Sequence, residues 1–129
     1  MADRYLALKV EMMQWDANPD GSIFGGVILS YIDQAAYHGA AWEIRKKGVP
    51  IPPMVTVAMN KVEFHRPVFV GDLVSFYTDL VRMGRTSITT HVSVEVEREG
   101  LVVQVTEAEV VYVAIRLPER LPVPIVPGG

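Results

Sequence analysis

The sequence contains no cysteine. That absence excludes thiol nucleophiles, cysteine-ligated zinc and disulfide scaffolds together, and it fits a reducing cytoplasm, the expected location. No apolar run in the opening MADRYLALKV is long enough for a signal peptide or a membrane span, so no membrane partner is expected. Basic residues are not in excess, and the formal charge is -3. General nucleic-acid binding relies on a basic face and is argued against, although a local basic cluster can still hold a phosphorylated small molecule. Without a G-x-S-x-G elbow, no α/β-hydrolase serine is expected. Neither a G-x-G-x-x-G fingerprint nor a P-loop is present. His38, His65 and His91 show no metal-ligand spacing, so no metal is expected, and His91 on the polar face of its strand is expected in solvent.

What is present is apolar. Half of the 129 residues are hydrophobic, enough for one domain whose core needs neither disulfide nor metal. The domain is expected to span residues 1–116, followed by a Pro-rich tail, 117–129, with little regular structure. Leu6, Leu8, Val10 and Met12 alternate with Ala7, Lys9 and Glu11, the pattern of a half-buried strand. Asp16, Asn18, Pro19, Asp20, Gly21 and Ser22 are turn formers. From about Gly25 to Lys47 the sequence predicts one long helix, ended by Gly48 with Pro50, Pro52 and Pro53 preventing continuation. Strands are predicted over 54–64, 73–82, 87–97 and 101–115. The third is the cleanest, with Ile88, Thr90, Val92, Val94 and Val96 on one face and Thr89, His91, Ser93, Glu95 and Glu97 on the other. Turns at Met83-Gly84-Arg85 and Arg98-Glu99-Gly100 imply an antiparallel meander. The predicted fold is α+β, one long helix packed on an antiparallel five-stranded sheet.

Two features do not suit a monomer. The helix is apolar or small almost all round until Glu43, from Val27, Ile28 and Leu29 to Ala40, Ala41 and Trp42. Such a helix is buried on most sides, and one sheet covers only part of it. The last strand, LVVQVTEAEVVYVAI, carries apolar residues in both parities near its ends, as if both faces were covered. A homodimer at least is expected.

The helix opens on Gly25-Gly26 and then places Asp33 in its apolar run. Each glycine in a helix interior costs about 1 kcal/mol relative to alanine. In the first turn the cost is smaller, and the free backbone N–H groups stay approachable to an anion or a developing oxyanion. A tight entry or a close strand crossing would also account for the pair. At 100° per residue, Gly26, Ser30, Asp33 and Tyr37 share one stripe. Asp33 is then either the base of a site on that stripe, or an acid in a solvated notch or bonded to Ser30. Gly26 and Asp33 lie about 10 Å apart along the axis. One small reacting group cannot touch both within a subunit, so if both serve the same chemistry a shared site across a two-fold interface is expected. Of Asn18, Gly26, Ser30 and Asp33, only Asp33 can act as a base at neutral pH.

An ordered set of segments carries a family likeness: Asn18 followed by GSIFGG, the helix with ID at 32–33, VTV at 55–57, EFHRPVFVGD at 63–72, GRTS at 84–87 and YVA at 112–114. In these the chain resembles the YciA-like acyl-CoA thioesterases of the hot-dog fold, in which a sheet wraps a long central helix. The resemblance implies hydrolysis of acyl-CoA to free fatty acid and CoA, with a place in fatty acid metabolism. It implies Asp33 as catalytic carboxylate, Asn18 from the partner subunit working with it, and the Gly26 amide polarising the thioester carbonyl. Dimers assembled further into hexamers are implied, as a trimer of dimers, and no cofactor beyond the CoA of the substrate. Gly25 would join the substrate site at the helix start. For the CoA phosphates, Arg85, Thr86 and Ser87 at the GRTS turn come first and Arg66 second, although ordinary solvated turn residues would look the same. Val57, Met59, Phe24 and Tyr31 are candidates for the acyl channel, or plain core.

Two other readings stand beside it. DANPD at 16–20 resembles the D-x-N-P-x-H signature of MaoC-like enoyl-CoA hydratases, but Gly21 holds the place of the histidine. A non-catalytic acyl-CoA-binding hot-dog module would not need an acid facing bare amides.

Overall fold

The computed structural model describes residues 4–128. In chain order the elements are β1 (Tyr5–Glu11), a single 3-10 turn (Gln14–Asp16), α1 (Gly25–Arg45), β2 (Met54–Phe64), β3 (Leu73–Met83), β4 (Ser87–Arg98), β5 (Leu101–Arg116) and a short β6 (Leu121–Pro122). The sheet order is β1-β3-β4-β5-β2, with every neighbouring pair antiparallel and β6 against the end of β5. One helix lies along the inner face of that sheet, which is the hot-dog arrangement.

The predicted meander holds for β3, β4 and β5 only. β2 does not lie beside β3; it pairs with β5 at the opposite edge. The segment 65–72 makes that crossing and is pinned at both ends. The His65 and Arg66 amides both donate to the Val105 carbonyl, at 2.8 and 3.1 Å, and Ile23 N–H donates to Val68 O at 2.7 Å. β5 is therefore a central strand.

The inner face of β4 is as expected, with Ile88, Thr90, Val92, Val94 and Val96 all buried. Ser93 on the other face is buried too, because its hydroxyl donates to Glu95 Oε2 and accepts from Gln104 Nε2. In β1 the expected alternation breaks. A register shift between Leu6 and Leu8 keeps Leu8 and Val10 opposite buried Phe76 and Val74, while Leu6 faces Tyr77 and is exposed. Tyr5 instead stacks on Trp42 of the helix at 4.8 Å.

Helix α1 buries Ile28, Ile32, Ala35, Ala36, Gly39, Ala40, Ala41 and Ile44. The small residues let it approach β3 closely: a Cβ on Gly39 would stand 2.3 Å from Thr78 Oγ1. The helix ends two residues earlier than predicted. Lys47 and Gly48 donate to Ile44 O and Arg45 O, a tightened last turn that Gly48 closes at φ +76°. Around this buried set Val27, Leu29, Tyr31 and Tyr37 are only partly buried. After Leu117 the chain folds back, Val123 N–H on Ala114 O and Ile125 N–H on Arg85 O, and the Ile125 side chain enters the core at 2% exposure. Among the described residues no helix is long and apolar enough to cross a membrane.

Candidate active site

Thr56 and Tyr112 are direct cross-strand partners in the β2–β5 register. Their parity points both toward the helix, so two hydroxyls converge where Asp33 interrupts the apolar run. Thr56 Oγ1 donates to Asp33 Oδ1 at 2.9 Å, and the Tyr112 hydroxyl donates to the same oxygen at 2.7 Å. The phenol also contacts the Asp33 backbone carbonyl, so one proton is shared between two acceptors. Burial first, and then the Asp33 carboxylate, push the Tyr112 hydroxyl well above the usual phenol range, so it stays a donor at neutral pH. Asp33 is thus held by strand hydroxyls, not by Ser30. With Oδ1 doubly engaged, Oδ2 carries no hydrogen bond among the described residues. The acid opens on a shallow cleft lined also by Gln34, Tyr37, His38 and Met54.

Gly26 lies in the adjoining depression with Asp16, Ser30 and Tyr31, and Gln34 borders both. No side chain caps the first turn, and no acid lies in it. The helical ladder begins with the Val27 and Ile28 amides on Phe24 O, at 3.0 and 3.4 Å, so the Gly25 and Gly26 amides precede it. The two glycines separate sterically. A Cβ on Gly25 would meet the Phe64 ring at 3.3 Å, whereas one on Gly26 would meet nothing within 4 Å. A close strand crossing accounts for Gly25; nothing in the protomer requires Gly26.

The other predicted site residues are spread out. Asn18 donates its side-chain amide to Ser22 Oγ at 3.1 Å and lines a third depression with Gln14, Ala17 and Val70. It does not share the Asp33 cleft within one protomer. Arg66 and Gly25 line an apolar groove of about 350 Å³, with Ile23, Ile28 and Phe64. Thr106 also borders this groove, fully buried and with no partner for its hydroxyl among the described residues. Arg85 and Thr86 lie in the β3–β4 turn and Ser87 opens β4; the Arg85 and Thr86 carbonyls accept from the Ile125 and Ala114 amides. Of the acyl-channel candidates, Val57 and Phe24 are about half exposed, while Met59 and Tyr31 pack against the core.

Thr56 and Tyr112 were not singled out from the sequence. The signal was present: each is a polar-tipped residue in the inward parity of an otherwise apolar strand. The histidines need a correction. His91 is not simply solvated, because its Nε2 meets Glu107 Oε1 at 3.0 Å and its Nδ1 faces Asp79 Oδ1 at 3.6 Å. His65 Nε2 meets the other oxygen of Glu107 at 2.7 Å. Chain spacing does not reveal this cluster because β3, β4, β5 and the crossing segment 65–72 assemble it.

The family model described as Thioesterase superfamily matches residues 20–103. The chain belongs to the thioesterase superfamily. Among its relatives in this superfamily is the acyl-CoA thioester hydrolase YciA of Salmonella typhimurium, 36% identical over 125 residues that cover 93% of this chain and 89% of that one. The YciA of Escherichia coli K12 is 36% identical over 126 residues, covering 92% and 91%. Among superfamily members of known structure, a hexameric hotdog fold thioesterase of Campylobacter jejuni has a TM-score of 0.78 at 38% identity, covering 94% of this chain and 90% of that one. A hexameric thioesterase of Yersinia pestis has a TM-score of 0.80 at 32% identity, covering 98% of each.

Proposed function

We propose that this chain hydrolyses acyl-CoA thioesters: water adds across RCO–S-CoA, the C–S bond breaks, and a carboxylic acid and CoA thiol leave. The observation that carries the reading is Asp33, a carboxylate fixed through Oδ1 by Thr56 and Tyr112, its Oδ2 without a hydrogen bond among the described residues, in the lining of an open cleft. Relatives named acyl-CoA thioester hydrolases over nearly the whole chain support the substrate class. Asp33 Oδ2 takes a proton from the attacking water or attacks the carbonyl carbon itself. The second route expels CoA thiolate and leaves a mixed anhydride, and single turnover in ¹⁸O-water detects it: water opening that anhydride at the aspartyl carbon labels the enzyme carboxylate, which general-base catalysis does not. The Gly26 N–H of a second protomer receives the developing oxyanion, assisted by the helix dipole, a donor typically worth about a hundred- to a thousandfold in rate. Asn18 of a second protomer orients the water or the carboxylate. Arg66, beside the groove at Gly25, and the Arg85–Ser87 turn are the sites proposed for CoA phosphates. We read the assembly as dimers joined into a hexamer; the hexameric state of relatives supports the hexamer alone.

The MaoC-like hydratase reading has little to stand on. Gly21 has φ +90°, a conformation a histidine rarely adopts, so the missing member of that dyad has no easy place. The deciding assay is thiol release from acyl-CoAs of graded chain length, with crotonyl-CoA hydration followed in parallel. Wild-type protein is expected to release CoA, and Asp33→Asn to keep the fold and lose nearly all turnover. Hydrolysis by Asp33→Asn at the wild-type rate would remove Asp33 from the mechanism, and hydration without thiol release would overturn the reaction class.

A further inference from the structure

The outer face of the sheet, opposite the helix, holds a row of acids and imidazoles with no part in the proposed hydrolysis. Glu63 on β2 stands directly across from Glu107 on β5, two carboxylates in register. Like charges at directly opposed strand positions repel and destabilise a sheet unless something lies between them. Glu107 has only histidines for partners, and Glu63 has no ion pair or hydrogen bond among the described residues. The Lys61 ammonium is engaged elsewhere, at Glu109.

We propose that Glu63, His65 and Glu107 form a binding site for a divalent first-row transition ion such as Zn²⁺. One donor atom from each lies within 4.8 Å of the others. Bonds of about 2.1 Å to a tetrahedral ion put donors about 3.4 Å apart, a contraction that rotation of these surface side chains supplies. The imidazole favours zinc-like ions over Mg²⁺ or Ca²⁺, which take oxygen donors. The backbone is already set: His65 N–H is fixed on Val105 O at 2.8 Å, and Glu63 and Glu107 sit in paired strands.

His91 acts one step out. Its Nε2 engages Glu107 Oε1, leaving Oε2 for the ion, and Asp79 stands beside its Nδ1. Such outer partners orient a ligating carboxylate. On loading, His65 Nε2 exchanges its bond to Glu107 for the ion, and any proton it carried goes to solvent. The ion would tie the end of edge strand β2 to β5 just beyond the irregular pairing between Asn60 and Glu63. The site is independent of the hydrolytic reading, because Glu107 has the outward parity of β5 and Tyr112 the inward one.

The test is titration of untagged, chelator-treated full-length protein with ZnCl2 by calorimetry, and with Co²⁺ by its visible absorption. Saturable binding of about one ion per chain is expected, with an imidazole-type Co²⁺ spectrum. Glu63→Gln and His65→Ala are each expected to weaken binding at least about tenfold. Circular dichroism checks that each variant is folded; Glu63→Gln, nearly isosteric and exposed, carries the test alone if His65→Ala does not fold. Absence of saturable binding in the wild type, or undiminished binding in a folded variant, overturns the proposal.

Discussion

At the scale of single residues, the two glycines at the start of α1 separate a structural demand from a chemical one. Gly25 abuts the Phe64 ring, so a side chain there forces the ring aside. Gly26 faces open space, and in a helix alanine is the better former by about 1 kcal/mol. Gly26→Ala is therefore expected to leave the unfolding midpoint unchanged or slightly raised. Its added methyl covers the approach to the amide assigned to the oxyanion, so kcat/KM for thioester hydrolysis is expected to fall at least about tenfold. Denaturant titration and thiol release on one preparation read both quantities. A variant that loses stability along with activity would mean that Gly26 is needed by the fold rather than by the substrate. Asp33 stood out in the sequence as the candidate base because a lone carboxylate in an apolar helix is costly without partners. Its partners were not, because Thr56 and Tyr112 lie 23 and 79 residues away in sequence and meet it only through the β2–β5 register.

Among the elements, periodicity placed one helix and five long strands to within a residue or two, since each alternates or repeats over many positions. It failed where pairing, not pattern, decides. The break at Leu6 in β1 comes from a register shift against β3, and alternation alone carries no trace of a partner's register. Likewise β2 has the composition of any strand here, and what sends it to the far edge is the crossing segment 65–72. The helix itself depends on how closely it meets β3. Thr78 is buried at 2% exposure, and the Gly39 backbone sits against its side chain. Gly39→Ala gains about 1 kcal/mol in helix propensity but overpacks the contact, which typically costs about 1–3 kcal/mol. A net loss of stability up to about 2 kcal/mol is expected in urea unfolding. Thr78→Ala in the same chain is expected to recover part of it, because it removes Thr78 Oγ1 and Cγ2, two of the three atoms in the clash. Equal stability of Gly39→Ala and wild type would show that helix and strand have slack at this contact.

For the whole molecule, the separation of Asn18 from Asp33 matters most. Within one protomer they line different depressions, Asn18 beside Val70 and Asp33 beside Thr56 and Tyr112. Val27, Leu29, Tyr31 and Tyr37 of the helix are only partly buried. In a two-fold assembly the same surface meets itself, so Asn18 of one copy can approach Asp33 of the other twice over. Mixing two inactive proteins tests this directly. Asp33→Asn and Asn18→Ala are each expected to be nearly inactive. After co-refolding in equal amounts, random pairing makes about half of the dimers mixed, and each mixed dimer holds one site with both native residues. Activity is then expected to recover to about one quarter of wild type. If Asn18 served the Asp33 of its own chain, every mixed dimer would contain two crippled sites. Thiol release from the mixture would then stay at the sum of the two variants measured apart.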